Sequence, residues 1–274
     1  MKRKNHKFSY NLSILGMALL STMLILPSFS TQAPKQAIDK LQTIVLDAGH
    51  GGKDPGCNGA NEVWEKDVTL AVVKKLGKLI EDSLSDVKVL YTRKTDVFIN
   101  LWERPKLANK NNADLFVSIH CNSNNNTSPQ GSETYFMGLH KTDGNLDVAK
   151  RENEAVIFEE DYKSNEQYGG FDPNSPESDI IFTLVQNAHM VESSRFSSIV
   201  EKKSTNFTSI KSRGVKQAGF LVLWQAAMPS VLVELGFLTN SSDRAILKTS
   251  AGQDKVAQGL FASIVEYKKL RDKM

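Results

Sequence analysis

Apolar positions along the chain alternate between short unbroken runs and helical stripes. Thr43–Asp47 and Leu115–His120 are near-continuous apolar runs, the pattern of strands buried on both faces. Val87–Thr92 reads as another strand, and Gly131–Met137 alternates in the manner of a fourth. Gly219–Trp224 and Ser230–Leu235 make two more, separated by a turn around Met228-Pro229. Between the strands, Asp67–Asp82 carries Val68, Leu70, Ala71, Val72, Leu76, Leu79 and Ile80 along one helical side. Leu101–Asn111 is a second helix, with Pro105 near its start, where a missing N–H is tolerated. Val256–Leu270 is a closing helix. This order predicts an α/β fold: a single domain whose mostly parallel central sheet of about six strands is flanked by helices. Ligands of such sheets bind outside the carboxyl ends of the strands.

One stretch breaks the rhythm. No strand signal occurs between residues 138 and 204, which hold a charged helical run (Asn145–Tyr162), a turn-rich patch (Gly169–Pro176) and a second helical run (Ser178–Lys203). That is long for a connection between sheet elements. The second run reads as a scaffold helix. The first run and the patch read as a helical insertion, at about 138–177.

The start of the chain has its own pattern. A basic segment, Met1 to Lys7, precedes an apolar run from Leu12 to Leu26, and Ser28 and Ser30 suit the −3 and −1 positions of a signal-peptidase site. Cleavage after Ala33 is an alternative. The apolar run is shorter than the ~20 residues a spanning helix needs. Residues 1–33 are therefore expected to be a signal peptide and cleavage region, leaving an exported protein (periplasmic, in the cell envelope or secreted) without a stable membrane anchor. Lys2, Arg3, Lys4 and Lys7 alone exceed the net charge of +3. No basic stripe remains to argue for nucleic acid as a partner.

Candidate chemistry gathers at strand ends. His50 follows the first apolar run and His120 ends the Leu115–His120 run, while Glu65 opens the helical pattern between them. Two imidazoles and a carboxylate form a typical catalytic zinc shell with a fourth position left for water. Each residue alone admits a plainer reading: a satisfied histidine, or a helix N-terminal carboxylate favourable to the dipole. Gly49, Gly51 and Gly52 give the backbone beside His50 room to turn, and Asp47 is placed to orient an imidazole. Glu234 interrupts the apolar run Ser230–Phe237, where a carboxylate is costly unless paired, metal-bound or protonated. Its alternatives are a general base or a structural ion pair with Arg93, Arg104 or Arg213. Cys57 and Cys121, the two cysteines of the chain, read equally well as a disulfide or as two separate thiols.

These residues carry a resemblance. Val45-Leu46-Asp47-Ala48-Gly49-His50-Gly51-Gly52 with Asp54-Pro55-Gly56 looks like the opening motif of the zinc-dependent N-acetylmuramoyl-L-alanine amidases of the amidase-3 type. Glu65-Lys66-Asp67-Val68-Thr69-Leu70 is similar to the second motif. Arg104, Ala108-Asn109 and Ala113–Asn122 resemble the third, and Arg213–Ala218 and Met228–Asn240 resemble the last two. The ordered match runs from about Thr43 to the C-terminus. It implies a zinc amidase catalytic domain over 34–274, with Zn2+ on His50, Glu65 and His120 and with Glu234 as the catalytic carboxylate. The implied reaction is hydrolysis, by zinc-activated water, of the amide between N-acetylmuramic acid and L-alanine of the peptidoglycan stem peptide, in wall remodelling or daughter-cell separation. Cys57 and Cys121 stand where smaller residues are more usual.

Some members of the family carry a helical insertion that covers the zinc until an activator protein binds. The segment from Gly138 corresponds, and one of Glu152, Glu154, Glu159, Glu160 or Asp161 is expected to cap the open metal position, giving autoinhibition. Three rival readings stand beside this one: a zinc peptidase acting on the stem peptide, a cysteine-dependent wall hydrolase using Cys121, and a non-catalytic wall-binding module, which has no reason to keep Glu234 inside an apolar strand. Adjacent strand residues point to opposite faces, which disfavours a dyad of Cys121 with His120.

Overall fold

A computed structural model describes residues 40–60, 62–160, 162, 165, 168 and 189–273. The expected leader, 1–33, and the whole turn-rich patch at 169–176 lie outside the described residues, as do 178–188 of the second helical run. A mixed six-stranded sheet organises the chain in the order β4-β1-β5-β8-β6-β7. Its strands are β1 (Thr43–Ala48), β4 (Lys88–Tyr91), β5 (Leu115–Asn122), β6 (Ser132–Met137), β7 (Ser212–Ala218) and β8 (Ser230–Phe237). All neighbouring pairs are parallel except β6 with β8. The predicted α/β class and strand number therefore hold. A separate two-residue ribbon, β2 (Asn58–Gly59) with β3 (Val63–Trp64), was not signalled by the sequence.

Both faces of the sheet are covered. On one side α1 (Glu65–Ser83), α4 (Met190–Ser204) and α7 (Ser250–Arg271) pack onto an apolar layer that includes Leu46, Val117, Ile119 and Val233. On the other, α2 (Glu103–Lys110), α3 (Asp143–Asn153) and α5 (Leu221–Trp224) pack onto Val45, Phe116, Tyr135 and Leu232. The alternation of β1 and β5 between the two layers explains their near-continuous apolar runs: both faces need apolar residues. The short α6 (Ser241–Leu247) follows β8, with Asn240 accepting from the amides of Ser242 and Asp243 at its start. Among the described residues no helix is long and apolar enough to cross a membrane.

One predicted strand is displaced. Leu221–Trp224 forms the helical turn α5, and the strand falls just before it, at Ser212–Ala218. A four-residue apolar run satisfies a buried turn as well as a strand, so periodicity cannot separate the two. β7 lies at the sheet edge, half exposed, and therefore carries Arg213, Lys216 and Gln217 instead of an apolar run.

The carboxyl ends of β1, β5 and β8 lie side by side. His120 is in register with Glu234, and Glu234 is in register with Glu133 on its other side. The β5–β8 register shifts between His120 and Asn122, so the ladder ends at the point where the chemistry begins.

Candidate metal centre

His50 sits immediately after β1 with a left-handed backbone, φ 59°. The turn depends on Gly49: a Cβ there would lie 2.4 Å from the His120 ring. His50 Nδ1 contacts Asp54 Oδ2 at 2.8 Å, which leaves Nε2 facing inward. Asp54 thus orients the ring; the expected partner, Asp47, does not. Asp47 is instead fully buried under Arg104, Thr92 and Ser118.

Glu65 is the first residue of α1. The helix receives no side-chain cap; the Glu65 and Lys66 amides donate to the carbonyls of Cys57 and Pro55 instead. The loop after His50 and the helix start are thereby fixed to each other. The Glu65 carboxylate reaches across the site: Oε2 accepts from the Cys57 amide at 2.9 Å and Oε1 from the Cys121 amide at 2.8 Å. Oε1 also lies 3.0 Å from His50 Nε2 and 3.1 Å from His120 Nδ1.

A fourth donor comes from α3, within the segment expected to be an insertion. In α3 the buried positions Asn145, Val148, Ala149, Glu152 and Asn153 fall at helical spacing on one face. Val148 and Ala149 enter the apolar layer, so Glu152 must point inward as well. Its Oε2 lies 3.1 Å from His50 Nε2 and 2.9 Å from His120 Nδ1. Asn153 fastens the end of α3, donating to the Gly219 carbonyl and accepting from the Leu221 amide. Of the other acids expected as caps, Glu159 accepts from the Leu101 amide and the Tyr168 hydroxyl, and Glu154 lines the cleft. Glu160 is exposed, and Asp161 lies outside the described residues.

The donor atoms of His50, Glu65, His120 and Glu152 all lie within 4.8 Å of one another, and all four residues are buried. Metal–donor bonds of about 2.0–2.2 Å in a tetrahedron put donors roughly 3.3 Å apart, close to the separations seen. His50 Nε2 and Glu152 Oε2 are buried without a hydrogen bond. Polar atoms that converge at that spacing yet leave these two unbonded suit a shared cation, and the set of two nitrogens and two carboxylates suits a borderline ion.

Glu234 is completely buried beside this cluster, and among the described residues neither carboxylate oxygen has a hydrogen-bond partner. Burial, then the Glu152 and Glu65 carboxylates, push its pKa well above the ordinary range, with Arg151 and His120 opposing. None of Arg93, Arg104 or Arg213 pairs with it. The nearby cation is Arg151 of α3, whose Nη2 lies 4.0 Å from Glu234 Oε1. The same guanidinium donates to the Ser123 carbonyl and to Asn122 Oδ1, at 3.0 Å each. A cleft of about 750 Å³ opens beside the cluster, between Asn58, Ser123 and Asn124 on one wall and Asp147, Arg151 and Ile157 of the insertion on the other.

Both cysteines are free thiols. Cys57 Sγ donates to the Cys121 carbonyl at 3.2 Å. Cys121 is fully buried in the apolar layer under α1, and burial followed by the Glu65 carboxylate pushes its thiol pKa far up. Such burial disfavours a nucleophilic thiolate at this position.

Comparison with known proteins agrees with this geometry. A family model described as N-acetylmuramoyl-L-alanine amidase (Amidase_3) matches residues 44–266. The chain is 34% identical over 239 residues to N-acetylmuramoyl-L-alanine amidase AmiC of Escherichia coli O6:H1, covering 86% of this chain and 55% of that protein. It is 32% identical to AmiA of Escherichia coli K12, covering 82% and 76% of the two chains. Among solved structures, the catalytic domain of CwlV, an amidase from Bacillus (Paenibacillus) polymyxa var. colistinus, superposes with a TM-score of 0.61 at 28% identity, covering 82% of this chain and 97% of that one. The CwlD amidase of Clostridioides difficile, solved in complex with the GerS lipoprotein, gives 0.60 at 25% identity, covering 84% and 99%.

Proposed function

The chain belongs to the N-acetylmuramoyl-L-alanine amidase family, and from that membership we propose that it hydrolyses the amide between N-acetylmuramic acid and L-alanine of the peptidoglycan stem peptide. In this reading His50, Glu65 and His120 hold Zn2+ and Glu234 is the catalytic carboxylate. The observation that carries it is the convergence of three donor groups beside a buried Glu234 that receives no hydrogen bond from the described residues.

When bound, zinc supplies Lewis acidity, lowering the pKa of water and polarising the scissile carbonyl. Asp54 holds the His50 ring so that Nε2 remains a ligand. Glu65 is kept ionised, since two backbone amides and two imidazoles face its carboxylate. Glu234, raised by burial, is placed to take the proton of the attacking water and to return one to the leaving amine. Neither oxygen is taken up by a hydrogen bond from the described residues, so both remain available for this exchange.

The described conformation is a resting state. Glu152 takes the fourth donor position, and Arg151, one residue earlier, lies against Glu234 and the Asn122–Ser123 wall of the cleft. Substrate access then requires α3 to withdraw, the step an activator protein would drive. The leader at 1–33 directs export to the periplasm or cell envelope, where wall remodelling or daughter-cell separation supplies the substrate.

Mass spectrometry of fragments released from purified sacculi tests the reaction. Stem peptides beginning with free L-alanine, their release abolished by a chelator and restored by zinc, are expected. Cleavage within the stem peptide would replace the amidase with a zinc peptidase.

A further inference from the structure

Two buried arginines meet beneath the His50 turn. Arg104, 1% exposed, donates through Nη1 to the Ala48 carbonyl at 3.0 Å and through Nη2 to the His50 carbonyl at 3.1 Å. Arg93, 3% exposed, donates through Nε to the Ala48 carbonyl at 2.9 Å and through Nη2 to the Gly49 carbonyl at 2.8 Å. Three consecutive carbonyls, 48 to 50, are thus gripped by two guanidiniums. Asp47, on β1, accepts from Arg104 at 2.9 Å and fixes that guanidinium in place.

This arrangement is expensive for mere stability. Two cations are desolvated side by side, and burying charges costs several kcal/mol per ion unless geometry repays it. His50 is a non-glycine residue with φ 59°, a left-handed conformation that is uncommon outside glycine, though less so for His, and that persists where surrounding contacts over-determine it. The planar fork of arginine suits the task, since one side chain can reach carbonyls of different residues at fixed angles.

We propose that Arg104 is a positioning residue for His50: anchored on Asp47, its guanidinium holds the His50 carbonyl so that the left-handed turn directs Nε2 at the metal position. Arg93 fixes the two preceding carbonyls, so the turn is gripped along its whole length. The inference rests on the reading of His50 as a metal ligand.

The test measures Zn2+ affinity by chelator competition and the visible absorption spectrum of the Co2+-substituted protein. Arg104→Lys keeps the charge but cannot span the carbonyls and Asp47 together. It is expected to weaken Zn2+ binding at least tenfold and to change the Co2+ spectrum. Leu260→Ala, a cavity in the apolar layer under α7, controls for lowered stability and is expected to leave both readouts unchanged. Should Arg104→Lys not fold, Asp47→Asn, which loosens the guanidinium without removing it, carries the same two readouts. Unchanged affinity and spectrum in the folded variant overturn the proposal. His50→Ala separates the two levels: if it too leaves Zn2+ affinity intact, the ligand reading fails; if it abolishes binding while Arg104→Lys does not, the positioning role alone fails.

Discussion

Glu152 Oε2 lies 2.9 Å from His120 Nδ1, although the two residues come from different layers of the molecule, the helix α3 and the central strand β5. The contact joins a scaffold to a removable part. Helix α3 is fastened by Asn153 and by apolar side chains, not by the sheet ladder. Replacing Glu152 with Ala should therefore leave the trio His50, Glu65 and His120 intact while vacating the fourth donor position. We expect Zn2+ to remain bound and basal hydrolysis of purified sacculi to rise at least tenfold, measured by dye release without any partner protein. A fall in activity at unchanged zinc content would make Glu152 a working ligand instead of a block.

Glu234→Gln preserves shape and burial but removes the proton-accepting group. General base catalysis contributes about 10²–10⁴-fold, so turnover on sacculi should fall by at least 10² while zinc content and thermal stability hold. Thermal stability should hold or rise: a buried carboxylate without a hydrogen bond is costly to keep ionised, and its neutral isostere removes that cost. Near wild-type turnover would dismiss Glu234 from the reaction.

Gly49→Ala probes how closely the turn is fitted. The added Cβ would fall 2.4 Å from both Cε1 and Nε2 of His120, a ring held on its other side by Glu65 and Glu152. Relief must come from the ring or the turn, and both carry the site. Overpacking of this kind costs about 1–3 kcal/mol. The expected outcome is a lowered melting temperature together with Zn2+ affinity reduced at least tenfold in chelator competition. Loss of stability with affinity preserved would show that the turn yields without disturbing the ligands.

Much of this site was legible because strand ends announce themselves. His50 and His120 stand at or just beyond the ends of apolar runs, and Glu234 stands inside one, where a carboxylate has no packing reason to be. Glu65 was legible only in company, because a carboxylate opening a helix is ordinary. The sequence could not select Glu152 from five acids by composition. Its spacing of four from Val148 and three from Ala149 does place it on the inward face, a signal available to helical periodicity. Asp47 stands in β1 itself but turns toward Arg104, whereas Asp54, in the loop beyond the strand, meets the His50 ring. β7 carries no apolar signal because an edge strand needs no apolar run, and the four apolar residues of α5 fit a strand as well as a helical turn.

The cluster also predicts opposite pH responses for the metal-free and zinc-loaded proteins. In the metal-free state burial works to lower the His120 pKa, but Glu152 and Glu65 overcome it and lift the value from 6.5 to about 9. A folded-state pKa raised in this way adds stability that is complete below 6.5 and lost as the pH climbs through 9. For Glu152, burial and Glu65 act upward, yet His120 and His50 bring it from 4.5 down to about 2. Its contribution is complete above 4.5 and lost as the pH falls through 2. The metal-free site is therefore most stabilising between about 4.5 and 6.5. Zinc requires neutral imidazoles, so protons compete with it and its binding strengthens as the pH rises. The gap in melting temperature between loaded and metal-free protein should widen steadily from pH 6 to pH 9, as followed by thermal denaturation at fixed free Zn2+. A gap that stays constant or narrows would mean that His120 does not exchange a proton for the metal.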